Sequence, residues 1–191
     1  RLDRVPNERV AAGADVDDRD GNGISGRMNE RGAADSGALP ARFGSKANEW
    51  DLLTFSAGAM TDEMMVTNAL TRQQPDDGDG VANPEAPEAL VRLIDAFVRQ
   101  LAPPPRGPIN EQVRRGEALF GSLGCVGCHA PALGDTRGAY TDLLVHDMGA
   151  ALDDTFKDGN AGPREWRTAP LWDVRFRARL LHDERASTIP E

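Results

Sequence analysis

The five residues Cys125-Val126-Gly127-Cys128-His129 constrain this chain more than any others. The spacing C-x-x-C-H is that of a c-type haem attachment site. Two thiols separated by two residues reach the same edge of a porphyrin and add to its vinyl groups. The histidine that follows lies under the iron, where a neutral imidazole nitrogen serves as proximal ligand. These are the only 2 cysteines in 191 residues. Two other uses of the pair compete. A redox C-x-x-C belongs at the end of a strand in a βαβ unit, and no such unit is visible. A structural zinc site needs four ligands, and a second Cys or Cys/His pair is missing.

Apolar residues make up 39% of the chain and aromatics 5%, with 20 Gly and 13 Pro. Such a chain is loop-rich and has a modest core, to which a buried haem adds apolar contact. The formal charge of -9, from 31 acidic and 22 basic residues, argues against nucleic acid and anionic membranes as partners, since both reward Lys and Arg. It suits a basic redox partner protein or bound cations. No apolar run reaches the length of a bilayer-spanning helix. The chain opens on Arg1 without a signal peptide, as a processed or partial chain does. Thioether formation takes place outside the cytoplasmic membrane, so the motif implies a periplasmic or otherwise extracytoplasmic protein.

The expected fold is mainly α: a cytochrome c-like haem domain over 106–191, preceded by a loop-rich and helical region over 1–102. Residues 1–45 are irregular and rich in Asp, Gly and Asn, and 46–60 is weakly helical. The clearest helix starts near Asn83 and Pro84. Leu90, Leu93, Ile94, Phe97, Val98 and Leu101 then recur as one buried stripe. Pro103, Pro104 and Pro105 end it and form a stiff linker. Asn110 caps a second helix running to about Leu123 and into the motif. Gly116 allows close approach by another helix, and Phe120 can pack on the porphyrin. Beyond His129 the chain is mostly loop, with short helical stretches expected at 142–148 and 175–181.

Two further kinds of site are suggested. Asp18, Asp20 and Asn22, followed by Gly23, match the first half of a calcium loop. Position 12 is Asn29 where a bidentate Glu is needed, and Asp and Asn also suit plain turns. Residues 76–80 form a second, weaker copy in which the turn reading is favoured. For the sixth iron position the candidates are His146, Met148 and His182, with Met28, Met60, Met64 and Met65 upstream. A Met ligand suits electron transfer, whereas an open iron suits peroxide. Spacing does not choose among them, and packing is the default role of each. The same holds for Tyr140 and for Trp50, Trp166 and Trp172.

Several segments together carry a resemblance. Gly26 to Asn29, Arg42-Phe43-Gly44 with Lys46-Ala47, Glu63-Met64 and Leu101 to Pro104 lie upstream of the motif. Tyr140 to Gly149, Glu165 to Trp172 and Leu181-His182-Asp183 lie downstream. In these the chain resembles the bacterial di-haem oxidoreductase family, also labelled thiol oxidoreductase-like, and is distantly similar to di-haem cytochrome c peroxidases. The resemblance implies thioethers at Cys125 and Cys128, proximal ligation by His129, and Arg167 and His182 near haem propionates or the reaction pocket. The chain also departs from the family pattern. An earlier C-x-x-C-H for a second haem is missing, Glu184 stands where Gly is usual, and Ser45 stands where Trp is usual. Family members also continue, beyond the position of Glu191, into a helix that by analogy brings the distal ligand.

Three functions follow as expectations. The first is a redox protein passing electrons through one covalent haem c, resembling the C-terminal centre of a di-haem peroxidase and needing a second haem domain or partner chain. The second is a single-haem electron-transfer subunit of a larger complex. The third is a structural subunit stabilised by haem and Ca2+.

Overall fold

The computed structural model describes residues 2–33, 37–71, 74–76 and 78–188. In chain order the elements are α1 (Asn7–Ala11), β1 (Glu30–Ala33), β2 (Gly37–Pro40), α2 (Leu52–Met64), α3 (Glu88–Gln100), α4 (Glu111–Ser122), β3 (Ala132–Leu133), β4 (Thr136–Arg137), β5 (Val145–Asp147) and β6 (Glu165–Arg167). The strands pair as three antiparallel two-stranded ribbons, β1 with β2, β3 with β4 and β5 with β6. A mainly α, cytochrome c-like fold is therefore not what the chain adopts. The structure is 31% helical and 14% strand, with four α-helices among the described residues. Loops and short ribbons close the core where helices were expected. Turns interrupt the chain often, and nine non-glycine residues among those described take a positive φ.

The capping of each helix explains where it starts. Asp51 accepts a hydrogen bond from the Thr54 amide at 2.8 Å and opens α2. Met65 then turns left-handed and ends it. Asn110 accepts from the Val113 amide at 2.9 Å and starts α4 where the sequence placed it. The helix expected from Asn83 begins instead at Glu88 after Pro87, while Asn83 bonds to Thr67. Arg92 with Glu88 and Arg99 with Asp95 support its outer face as i,i+4 pairs.

The buried stripe expected on α3 is a correction. Val91 is fully buried and Ile94 partly so, both against Ala57, Met60 and Leu53 of α2. Leu93 is 68% exposed and Phe97 63%, and Leu90 and Leu101 are also exposed. Periodicity gave the helix an apolar face, and only part of that face meets α2. The segments 142–148 and 175–181 are likewise not helices. The first contains β5, and the second only overlaps, at its start, the 3-10 turn Val174–Phe176.

The irregular N-terminal segment packs against the chain that follows the motif. Leu2, Val5 and Val10 share a buried cluster with Ala139, Leu143 and Leu144. Arg42 holds this start in place by donating to the Leu2 and Val5 carbonyls at 3.1 and 2.6 Å. Arg27 bridges to β5 through its backbone and to Glu165 of β6 through its guanidinium. Asn29, wholly buried, donates to the Lys46 and Asp158 carbonyls and accepts from the Glu30 and Asn160 amides. Lys46, only 3% exposed, donates to the carbonyls of Gly162, Pro163 and Glu165 and pairs with Asp154 at 3.2 Å. These contacts fix β5 and β6, and with them the residues beside the cysteine motif.

Candidate haem site

Helix α4 leads directly into the motif. Gly124, at φ 80°, reverses the chain without the strain a side chain would bring there. Cys125–Gly127 then forms one 3-10 turn, closed as the His129 amide donates to the Cys125 carbonyl at 3.0 Å. Both cysteines are partly buried free thiols. A side chain at Gly127 would meet Ile24 at 2.6 Å, so the N-terminal loop lies directly against the motif.

His129 is oriented from its far side. Its Nδ1 lies 2.9 Å from the Tyr140 carbonyl oxygen. A carbonyl only accepts, so Nδ1 carries the hydrogen and Nε2 keeps its lone pair for a metal. Tyr140 aims that carbonyl from a left-handed conformation, φ 48°. The bend is held by the buried Thr141, whose hydroxyl donates to the Thr168 carbonyl at 2.6 Å and accepts from the Leu143 amide at 3.0 Å. Phe120 packs between the two rings, 6.3 Å from His129 and 6.0 Å edge-on to Tyr140. Phe120 thus supports the histidine from α4.

The residues here fit a haem. Two thiols on one turn and one imidazole with a fixed free nitrogen form the donor set. Around them Leu119, Leu123 and Val126 are exposed apolar side chains, and α4 buries none of its residues. A flat apolar macrocycle complements such a surface.

His146 sits on the opposite flank of Cys128. Its Nε2 is 2.9 Å from the Asp142 carboxylate, its Nδ1 2.8 Å from the Ser25 carbonyl, and the Cys128 sulfur 3.9 Å from Nδ1. Both nitrogens are engaged. Burial alone would lower the pKa of this imidazole. The Asp142 hydrogen bond and then the Cys128 contact more than reverse that, raising it to about 10. A raised folded pKa stabilises the fold fully below the unfolded value of 6.5 and loses that stabilisation as pH rises toward about 10. The melting temperature of the wild-type chain should therefore exceed that of His146→Gln most at pH 6. The gap should close as pH approaches 10, and a gap independent of pH would contradict the assignment.

The remaining candidates lie apart. Met148 is exposed just beyond β5. His182 is exposed and stacks on Trp166 at 3.5 Å, with the Lys46 ammonium 3.9 Å from the same indole. Arg167, next along β6, donates to the Gly44 carbonyl at 2.8 Å. Strand alternation puts it on the other face from Trp166 and His182. In the N-terminal loop the carboxylates of Asp15, Asp18 and Asp20 come within 4.8 Å of one another. Asp20 caps the Asn22 amide and Asn22 the Ile24 amide as consecutive Asx turns, and Asp18 accepts from the Gly23 amide across the loop. Asn29, at the closing position of the calcium pattern, is turned into the core instead. In the second Asp/Gly stretch, Asp77 lies outside the described residues.

Gly26 and Asp142 lie in segments that carry the family resemblance, but their contact with His146, and that of the Ser25 carbonyl, has no signal in the sequence. The i,i+4 pair of Asp142 and His146 bridges a left-handed bend at Leu143 rather than a helical turn.

Thiols and an oriented imidazole beside uncovered apolar side chains suit a haem-binding protein. Comparison with known families agrees. The family model described as "Di-haem oxidoreductase, putative peroxidase" matches residues 1–191, and the chain belongs to that family, with a haem cofactor and a redox role. No curated protein and no solved structure matches it. Among the described residues no helix is long and apolar enough to cross a membrane.

Proposed function

We propose that this chain is a haem c redox protein that passes electrons through one haem. Cys125 and Cys128 hold it by thioethers, and His129 is the proximal ligand. The observation that carries the reading is the Tyr140 carbonyl on His129 Nδ1, which leaves Nε2 as a ligand in one orientation. A haem held there supplies a one-electron iron couple. The protein's part is to hold the ring by two covalent bonds, to orient the imidazole through Tyr140, Thr141 and Phe120, and to cover the macrocycle with apolar residues of α4. Thioether chemistry assigns the chain to the extracytoplasmic side.

Two cysteines suffice for one attached haem. Peroxide cleavage of the family's two-haem kind accordingly calls for a second centre, in a partner chain or another part of the protein. The haem-loaded chain should take up and release one electron per chain in a spectroelectrochemical titration and leave added peroxide unconsumed. Peroxide turnover by this chain alone would contradict the division of labour between two centres. Absence of a one-electron couple would contradict the redox reading itself.

A further inference from the structure

Cys128, Asp142 and His146 bring a sulfur, a carboxylate and an imidazole within 4.8 Å of one another in a largely buried place. His146 is 8% exposed and Asp142 7%. The ring faces an acceptor at each end, the Ser25 carbonyl at 2.8 Å and Asp142 at 2.9 Å. The Asp142 carboxylate is fixed in turn, because its other oxygen accepts from the Leu144 amide at 3.0 Å. A neutral tautomer has one N–H and would leave one buried acceptor facing a lone pair. The imidazolium satisfies both.

The room for the ring is also specific. A side chain at Gly26 would lie 2.6 Å from His146 Cε1 and 3.1 Å from Nδ1. Asp142 further acts on the partly buried guanidinium of Arg167. The imidazolium bonds that carboxylate and the Arg167 guanidinium interacts with it at longer range, so the surroundings of the Cys128 sulfur carry net positive charge.

We infer that His146 is a positioning residue for the cofactor: an imidazolium pinned by Asp142 and the Ser25 carbonyl, in space left by Gly26, that biases a haem bonded at Cys128 toward its reduced state. A positive charge fixed near the macrocycle opposes the extra positive charge of the oxidised iron, and partial burial keeps water from screening it. This inference rests on the attachment proposed above. The charge becomes a lever on redox poise that is distinct from either axial ligand.

The test compares wild type, His146→Gln, His146→Arg and Gly26→Ala, each made with haem attached and checked by intact mass before titration at pH 7. In His146→Gln the ferrous-to-ferric ratio at a fixed solution potential should fall about tenfold, which is 59 mV for a one-electron couple. Gly26→Ala, by pushing the ring aside, should move it the same way. His146→Arg should restore most of the wild-type value. A His146→Gln midpoint equal to wild type, or equal shifts in the Gln and Arg variants, would overturn the inference. Should the variants fail to load haem, ring-nitrogen NMR of the reduced wild-type protein decides. Two protonated nitrogens on His146 uphold the imidazolium, and one overturns it. A wild-type chain of bare polypeptide mass would overturn the attachment instead.

Discussion

A Cys125→Ser/Cys128→Ser chain should lose its haem completely on denaturation in acid solvent, where the wild type keeps it. A serine hydroxyl does not add to a vinyl group, so the double variant holds the macrocycle by His129 and apolar contact alone. The consequence is large because a tether makes axial ligation intramolecular, at an effective concentration of about millimolar or more. Without it, ligation by one imidazole competes with dilution. The flanking surface offers little to compensate: Leu123 is 75% exposed, and α4 has no buried residue. Each single variant should keep one thioether and therefore the full mass increment. The check is intact mass before and after acid extraction. A double variant that retained haem through extraction would mean that the attachment lies elsewhere.

The second large effect is structural and distant from the motif. Lys46→Met should destabilise the fold by about 2–3 kcal/mol, the cost of leaving carbonyl acceptors around a buried ammonium unsatisfied. Against a total of about 5–15 kcal/mol this is a large fraction. Lys46 Nζ contacts three carbonyls at 3.0, 3.2 and 3.3 Å and the Asp154 carboxylate at 3.2 Å. Methionine fills the volume and satisfies none of them. The melting temperature should fall by roughly 5–10 °C for a chain of this length. Loss should reach the site as well, because the same carbonyls border β6, whose pairing positions β5 and His146. A Lys46→Met chain within 1 kcal/mol of wild type in chemical denaturation would show that the ammonium contributes little.

The surroundings of the cysteine motif were open in part to reading from the sequence. The C-x-x-C-H motif, the helix leading into it and the Asn110 cap are local, and local chemistry decides them. The contacts that finish the site are not local. Tyr140 reaches His129 through a left-handed bend that no spacing rule announces. Lys46 looks like any surface lysine until four oxygens from 154–165 converge on it. The α3 stripe shows the limit of periodicity from the other direction, since a period of 3.6 marks an apolar face without saying what covers it. The mainly α expectation failed for a related reason. Leu2, Val5 and Val10, in a stretch that reads as loop, supply half of the core that packs behind the motif. The Asp18 loop, conversely, has a ligand-like spacing whose oxygens are already bonded to its own amides.

The most direct measurement is the intact mass of the denatured wild-type chain, expressed where c-type haem is attached, with peptide mapping of the modified segment. Polypeptide plus one haem, located on a peptide containing both Cys125 and Cys128, is the expected result. A mass equal to the bare polypeptide would contradict it.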